Sequence, residues 1–450
     1  MLRLRILLIL FLLPTIVFGR KFYVSGTGSD SYSVTQAQNS ATPWKTLSKV
    51  QSDVANNDSV LFARGSRFSG TLTLQSKSNV YFGVYGTGVS PLFWGTGATI
   101  ASLVTLRGCT NVTFYNWNIS DTTISFTDRT VQAKIRIVFT IESSSTGIVI
   151  RKCTMDRIGY GVYITSSSRG QTIDSCDIGN LRMIRNTPTS VNPDDDYGGV
   201  PVQISSSDNR FTNNYLHDCW ATSYDYGRDG GSIEFFEEGS VIENNFIAYN
   251  TLYDNNGTME HGSNPDGIAN NDIRSNTFAY NKVINCGSAV YINNSGQYKT
   301  RVKNLMIYNN VFVEISTKVS TAMFGQKVAD TIKGIIVFRN NIFKLTNGLQ
   351  VARTSLTSNS QLVYSNNLYQ LSGGSITNFT ISKTDINYPI GVIWMNTTSV
   401  NPLTWNYNLT STSPAINKGV NVNITRDFNN KIVSVPPDMG ILEYNIVTLW

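Results

Sequence analysis

Phe338-Arg-Asn-Asn-Ile342 is one of six segments that share a pattern: an apolar or aromatic residue, two further residues, an asparagine, and soon another apolar residue. Their asparagines are spaced 31, 31, 34, 31 and 26 residues apart. Short β-rich runs at such a period predict a parallel β-solenoid. The asparagine predicts an internal ladder, in which side-chain amides satisfy backbone groups at successive turns. The other segments are Phe211-Thr-Asn-Asn-Tyr215, Ile242-Glu-Asn-Asn-Phe246, Ile273-Arg-Ser-Asn-Thr-Phe278, Ile307-Tyr-Asn-Asn-Val311 and Tyr364-Ser-Asn-Asn-Leu368.

A second series of short strands lies between these segments. Side chains alternate between the two faces of a strand, so the apolar residues of this series are expected to point into the solenoid. The residue between each apolar pair then faces outward. The predicted inward residues are Val162, Ile164, Val202, Ile204, Ile233, Phe235, Val290 and Ile292. The predicted outward column is Tyr163, Gln203, Glu234, Glu260, Tyr291, Phe324 and Gln350.

Half of the acidic residues are concentrated in one window of the chain. Of the 30 Asp and Glu, 15 lie between Ser190 and Asp272, together with both histidines but only two of the 36 Lys and Arg. Because like charges repel when they are crowded, the clustering is most easily explained if the carboxylates face a shared partner. That partner is expected to be a cation or a sugar undergoing acid/base chemistry.

The two ends of the mature chain support a family resemblance. Near the start are the segments Phe22-Tyr-Val-Ser-Gly-Thr-Gly-Ser-Asp30 and Pro43-Trp-Lys-Thr-Leu47. Near the other end are Ser413-Pro-Ala-Ile-Asn417, Asp427 and Pro437-Asp-Met-Gly-Ile-Leu-Glu443. With the repeat, these segments resemble the pectate-lyase-like family of secreted polysaccharide lyases and glycoside hydrolases. The resemblance implies an all-β, right-handed parallel β-helix, a single-stranded solenoid with N-terminal and C-terminal caps. It implies no particular reaction, because this fold carries several.

The N-terminus predicts export. Arg3 and Arg5 precede a short apolar run, Ile6 to Leu13, and a segment that ends at the small residue Gly19, which together are typical of a cleavable signal peptide at 1–19. We therefore expect a secreted protein, extracellular or periplasmic, with no membrane span. Residues 20–450 are predicted to form one β-helix domain. Within it we expect an opening cap and first coils at 20–100, main coils at 101–370, and late coils with a C-terminal cap at 371–450.

Paired carboxylates suggest the leading hypothesis for function, a glycan-cleaving hydrolase. Adjacent strands lie about 4.8 Å apart, so the carboxyl groups of Glu234 and Glu260 are expected roughly 5 Å apart. This is the spacing of retaining glycosidases. An acid from a neighbouring loop, such as Asp229, would widen the separation and favour inversion. Further loop acids are Asp225, Asp194 to Asp196, and Asp266.

The remaining candidate residues surround this pair. Arg228 lies in the turn before the Glu234 strand and is a further catalytic candidate, although a loop salt bridge would explain it equally well. His261 falls on an inward position, which favours a packed histidine, and it is retained as a candidate for substrate binding. The predicted substrate-binding set is Tyr163, Gln203, Asp225, His261, Tyr291 and Phe324, because aromatic rings cover sugar faces and polar groups bind hydroxyls.

Two other hypotheses remain open. In a calcium-dependent lyase acting on a uronic-acid-containing glycan, the same patch would hold Ca²⁺, with Asp196, Asp229, Glu234 and Glu260 as ligands. The hydrolase hypothesis requires no cofactor. The third hypothesis is a non-catalytic glycan-binding or adhesive solenoid. Under each of them the expected partner is a polysaccharide or oligosaccharide and not a nucleic acid, and the expected state is a monomer.

Overall fold

A computed structural model describes residues 19–236, 240–262, 271–293, 300–316, 324–326, 336–346, 352–353, 362–372 and 381–444. Successive strands along the chain pass in turn through three long parallel sheets, so that each coil adds one strand to each sheet. The chain is an all-β protein, and its architecture is a right-handed parallel β-helix. Gln350, Asp266 and the acidic pair Glu237 and Glu238 lie outside the described residues.

Sheets 1 and 2 each contain twelve strands. Sheet 1 consists of Lys21–Val24, Ser59–Ala63, Tyr81–Tyr85, Thr113–Tyr115, Val149–Arg151, Thr172–Asp174, Arg210–Thr212, Phe246–Ala248, Thr277–Ala279, Leu305–Tyr308, Ile336–Arg339 and Leu362–Ser365. Sheet 2 consists of Arg67–Phe68, Leu92–Trp94, Asn118–Ser120, Thr154–Asp156, Asp177–Gly179, Tyr215–His217, Thr251–Tyr253, Lys282–Ile284, Val311–Glu314, Ile342–Thr346, Leu368–Ser372 and Ile386–Asn387.

Sheet 3 contains ten strands and carries the predicted outward column. Its strands are Leu72–Gln75, Ile100–Arg107, Ile135–Glu142, Tyr160–Ile164, Val200–Ile204, Ile233–Phe236, Met259–Gly262, Val290–Ile292, Phe324–Gln326 and Ala352–Arg353. A smaller parallel sheet joins Val241–Glu243, Asn271–Arg274 and Thr300–Lys303. Antiparallel pairs join Met183–Arg185 to Tyr197–Gly198, Ala221–Ser223 to Gly227–Asp229, and Trp394–Asn396 to Asn406–Leu409.

The core lies inside the coils and follows from the alternation of side chains. The inward residues predicted on sheet 3 are all at most 2% exposed, which confirms their orientation. Burying a side chain of this size contributes about 1.5–3 kcal/mol relative to leaving it in water, so one misplaced strand would be costly. This inward packing is what fixes the outward direction of the residues between them.

The first coil is covered by the segment that contains Trp44 and the helix after it. Trp44 is buried and stacks on Phe22, with ring centroids 4.4 Å apart. The α-helix Leu47–Asp53 follows, and the side chain of Thr46 caps it by accepting a hydrogen bond from the backbone N–H of Lys49. Short 3-10 turns occur at Gln36–Gln38 and Pro402–Thr404. No helix among the described residues is long and apolar enough to cross a bilayer.

The asparagine ladder predicted from the repeat is present, but it consists of two ladders. In each one, an Nδ2 group donates to the Oδ1 atom of the asparagine in the next coil, at 2.9–3.1 Å. The longer ladder is Asn214, Asn250, Asn281, Asn310, Asn341 and Asn367. The shorter ladder is Asn209, Asn245 and Asn276.

The six repeated segments of the sequence therefore include asparagines from both ladders, which lie at two different corners of the coil. The residue before the ladder asparagine has a positive φ at both corners, 58° at Asn213 and 58° at Asn244. The same local turn thus produces the same motif wherever a strand meets a corner. An extra strand, Val241–Glu243, places the motif containing Asn245 one corner earlier. Asn250 and Asn281, which lie outside the six repeated segments, are also members of the longer ladder.

All five cysteines are free and buried, and they pack as small apolar groups of the core.

Candidate functional site

The outward column of sheet 3 is in register across five consecutive strands. Tyr163 pairs with Gln203, Gln203 with Glu234, Glu234 with Glu260, and Glu260 with Tyr291. The central prediction from the sequence, that Glu234 and Glu260 are neighbours on adjacent coils, is confirmed. In the part of the chain that the structure describes, both glutamates, Tyr163 and Tyr291 are partly exposed, so their side chains reach the outer surface of sheet 3.

The column does not continue to Phe324. Its backbone pairs with Val290, an inward position, and Gly325 takes the place beside Tyr291. The prediction that Phe324 belongs to the outward column is therefore wrong. The cause is the sequence Ala322-Met-Phe-Gly325, in which three apolar residues in a row leave the strand register undetermined.

The two glutamates lie in different electrostatic environments. Burial raises the pKa of Glu234 well above its usual range, and the nearby carboxylates of Glu260 and Asp229 raise it further. Asn293 donates a hydrogen bond from its Nδ2 atom to Oε1 of Glu260, at 3.0 Å. The pair therefore differs in environment, since Glu234 is pushed towards the neutral acid while Glu260 receives a hydrogen-bond donor.

Asp229 is brought to the same place by a β-hairpin. Ala221–Ser223 pairs with Gly227–Asp229, and the chain then turns at Gly230, whose φ is 114°. A Cβ atom at Gly230 would lie 2.8 Å from the carbonyl oxygen of Gly199, so only glycine fits this close approach. Burial raises the pKa of Asp229 to about 7, and the carboxylates of Glu260 and Asp196 add to the effect, while a hydrogen bond from the Gly230 backbone opposes it.

Two residues near the carboxylates were missed by sequence reasoning. Asn293 lies two positions after Tyr291, so strand alternation places it on the same face and could have identified it. Tyr160 is 8% exposed and lies close enough to Glu234 for that carboxylate to raise the pKa of its hydroxyl, after burial itself. The sequence did not identify Tyr160, because the predicted outward column took only the residue between each apolar pair, and Tyr160 is the first residue of its strand.

Arg228 is occupied in structural contacts. It forms a salt bridge with Asp254, with Nη2 and Oδ1 3.2 Å apart, and donates to the carbonyl oxygen of the same residue. Its guanidinium lies 4.3 Å from the ring centroid of Trp220, and that of Arg129 lies 4.4 Å from it. The loop salt bridge considered from the sequence is therefore present. Arg228 helps to hold the hairpin that carries Asp229, and its charge is neutralised by Asp254.

His261 lies inside the solenoid. It is 0% exposed, and its ring stacks on Phe235 with centroids 4.8 Å apart. Burial lowers its pKa to about 3, so the imidazole is neutral at physiological pH. Assigning His261 to substrate binding is therefore wrong. The interpretation as a packed histidine, which its inward register favoured, is confirmed.

Gln203 and Asp225 are less available than their positions suggested. Gln203 is 8% exposed, and its Nε2 atom donates to the carbonyl oxygen of Phe236 at 3.5 Å. Asp225 accepts hydrogen bonds from the backbone N–H groups of Asp195 and Asp196 through Oδ2. The polar groups of both residues are therefore already used in hydrogen bonds within the protein.

Among the described residues, the acidic group able to share a cation is Asp195, Asp196 and Asp225, whose ligand oxygens lie within 4.8 Å of one another. Of the four metal ligands suggested by the sequence, Asp196 alone belongs to it. Both oxygens of Asp196 accept protein hydrogen bonds, from Thr187 at one side and Ser223 at the other. Oδ1 atoms of Asp195 and Asp225 are buried and have no protein partner among the described residues. The donor set is hard oxygen, which suits Ca²⁺, but the protein supplies few free ligands for it.

Residues 136–330 match the family model described as a right handed beta helix region. The crystal structure of pectate lyase Pel9A is similar over 96% of this chain and 98% of that one, with 14% identity and a TM-score of 0.52. A rhamnogalacturonan lyase has 14% identity, covering 78% and 87% of the two chains, with a TM-score of 0.44.

A GH136 lacto-N-biosidase from Eubacterium ramulus has 14% identity, covering 80% of this chain and 68% of that one, with a TM-score of 0.41. No curated protein matches the sequence significantly. At these identities the likeness establishes architecture. The chain has the right-handed parallel β-helix fold of the pectate-lyase-like kind.

Proposed function

We propose that this protein is a secreted carbohydrate-active enzyme that hydrolyses glycosidic bonds of a polysaccharide or oligosaccharide. The observation that carries the proposal is the register of Glu234 beside Glu260 on the outer surface of sheet 3. Two carboxyl groups, one protonated and one ionised, are what glycoside hydrolysis requires. The pectate lyase with the same architecture supports a glycan as substrate class, although it does not support a particular reaction.

The environments of the carboxyl groups suggest their roles. Glu234 and Asp229, whose pKa values are raised, provide the proton for the leaving oxygen. Glu260, which accepts a hydrogen bond from Asn293, acts as nucleophile or as base for water. Tyr163 and Tyr291 border the pair in the column and are placed to cover sugar faces.

The activity is expected to be lost on the alkaline side. Because burial raises the pKa of Asp229 to about 7, its carboxyl group holds a proton below that pH and loses it above. A plot of kcat/KM against pH should therefore fall as pH rises through about 7. Asp229→Asn should lower kcat/KM and remove the fall near pH 7, because an amide neither donates nor loses a proton in this range and Glu234, whose pKa is also raised, remains as the proton donor. Asp208→Asn, at a residue that pairs with Arg169 elsewhere on the surface, is the control. A wild-type profile that stays flat well above pH 7 would contradict the assignment.

A calcium-dependent lyase is the second candidate, and the cluster Asp195, Asp196 and Asp225 favours it. Such an enzyme needs a base and a means of neutralising the substrate carboxylate, which a bound cation would supply. The cation would be held by Asp195 and Asp225, whose Oδ1 atoms have no protein partner among the described residues.

Chelation separates the two candidates. Under the hydrolase proposal, EDTA should leave the rate on a neutral glycan within about twofold of the untreated rate, because catalysis by Glu234 and Glu260 needs no metal. Asp195→Asn should behave in the same way. The lyase would be favoured if EDTA abolished the activity of the wild type and Ca²⁺ restored it, while Ca²⁺ failed to restore activity in Asp195→Asn.

A further inference from the structure

A cavity of about 300 Å³ lies on the outer face of sheet 2, away from the carboxylates of sheet 3. Its walls come from five adjacent strands, the first of which is Leu92–Trp94, and from the loop that follows the second of them. One outward row is in register across the last four strands and reads Ser120, Asp156, Gly179 and His217. The inward residues Ile119, Met155, Ile178 and Leu216 are at most 2% exposed, which confirms that this row faces outward.

Gly179 and His217 both line this cavity. A Cβ atom at Gly179 would lie 2.5 Å from both Cε1 and Nε2 of His217, so a side chain at this position would displace the imidazole. The absence of a side chain at Gly179 therefore leaves room for the imidazole of His217 in the wall of the cavity. Its volume is at the lower end of the range of about 300–1,000 Å³ for small-molecule sites.

The cationic groups of the cavity are already paired. His217 bonds to Asp218 through Nδ1 at 2.9 Å and to Asp177 through Nε2 at 3.1 Å. Arg157 donates from Nε to Oδ2 of Asp156 at 2.8 Å and from Nη2 to Oγ of Ser120 at 2.9 Å. Burial lowers the pKa of His217, but its hydrogen bonds with the carboxylates of Asp177 and Asp218 raise it to about 9, so the imidazole stays charged and paired at neutral pH. An anionic ligand would have to break these pairs.

Hydrogen-bond acceptors and an exposed ring remain for a ligand. Oδ1 of Asp156 is buried and has no protein partner among the described residues, which is costly unless a donor reaches it. Phe126, at the rim, is 56% exposed. Its loop is anchored, because the buried Arg182 donates to the carbonyl oxygens of Ser125 and Phe126, both at 2.9 Å.

We propose that this cavity is a second carbohydrate-binding site, which takes one neutral sugar unit of a glycan chain. Sugar hydroxyls would donate to Asp156, and the apolar face of the ring would cover Phe126. The combination of an exposed aromatic ring, an unsatisfied acceptor and paired cations fits a neutral polyhydroxyl ligand better than a uronate. The site does not depend on the hydrolase assignment, because it lies on a different sheet.

Isothermal titration calorimetry with neutral trisaccharides tests the proposal. The probes are trimers of glucose, galactose and arabinose, with trigalacturonate as the anionic comparator. All proteins carry Glu234→Gln and Glu260→Gln, so that no ligand is consumed. Phe126→Ala should weaken binding of at least one neutral trimer by about tenfold, the upper range for an aromatic contact. Asp156→Asn, which retains an acceptor for Arg157, should weaken it similarly.

Ile390→Ala is the matched control, since Ile390 is 87% exposed and lies outside the cavity. It should leave the dissociation constant unchanged, and circular dichroism melting should show that all variants are folded. The proposal is overturned if no neutral trimer binds, if Phe126→Ala and Asp156→Asn both bind like the control, or if these changes affect trigalacturonate alone. None of these outcomes depends on whether the groove of sheet 3 catalyses hydrolysis.

Discussion

Glu234→Gln and Glu260→Gln are each expected to lower kcat for glycan hydrolysis by about 10²–10⁴-fold, the contribution typical of a positioned acid or base. Glutamine keeps the size of the side chain but neither donates a proton as a carboxylic acid nor acts as nucleophile. Because Glu234 and Glu260 are direct neighbours across two strands, their effects should be strongly non-additive. The measurement is the initial rate of reducing-end formation by purified variants.

Glu243→Gln is the matched control for these variants. Glu243 lies on the smaller parallel sheet and pairs with Arg274, with Nε and Oε2 2.7 Å apart. Its substitution should leave the rate within about twofold of wild type, because surface ion pairs contribute little to stability. Full activity in Glu234→Gln or Glu260→Gln would contradict the assignment of the site.

Asn281→Ala is expected to destabilise the protein by about 3–5 kcal/mol. Asn281 accepts from the backbone N–H and the Nδ2 of Asn250 and donates to the carbonyl oxygen of Ile247 and to Oδ1 of Asn310. Alanine leaves several of these buried groups unsatisfied, and each costs about 1–3 kcal/mol, partly relieved where water enters. Urea unfolding followed by circular dichroism measures the loss.

Asn192→Ala provides the comparison, because Asn192 is an exposed asparagine of a loop. Its effect should remain within about 0.5 kcal/mol, as for most surface substitutions. If Asn281→Ala unfolds at the same urea concentration as Asn192→Ala, the ladder does not stabilise the solenoid as described.

The fold could be predicted from the sequence because it repeats. Alternation in Ile233-Glu-Phe235 and the corresponding strands fixed which side chains point inward, and buried apolar residues penalise any other register. The membership of each ladder could not be predicted, because Asn214 and Asn245 occupy identical local motifs at different corners. A turn motif specifies its own backbone conformation, whereas its position in the coil depends on the length of the chain between corners.

The site was partly predictable for the same reason. Glu234 and Glu260 follow from strand period, since residues at equal positions in adjacent coils become neighbours. The position of Asp229 near the glutamates depends on a hairpin and on the packing of Gly230 against Gly199. Neither feature repeats along the chain, so the period of the strands could not predict it. The cavity at Gly179 was missed because a missing side chain carries meaning only once its neighbours in the sheet are known.

The products released from a panel of neutral and uronic-acid-containing glycans test the central claim most directly. Reducing ends and ultraviolet absorbance should be measured together for the wild type and for Glu260→Gln. We predict new reducing ends without absorbing products for the wild type, and neither signal for Glu260→Gln. Products that absorb in the ultraviolet, which carry the double bond left by elimination, would contradict hydrolysis by the carboxylate pair.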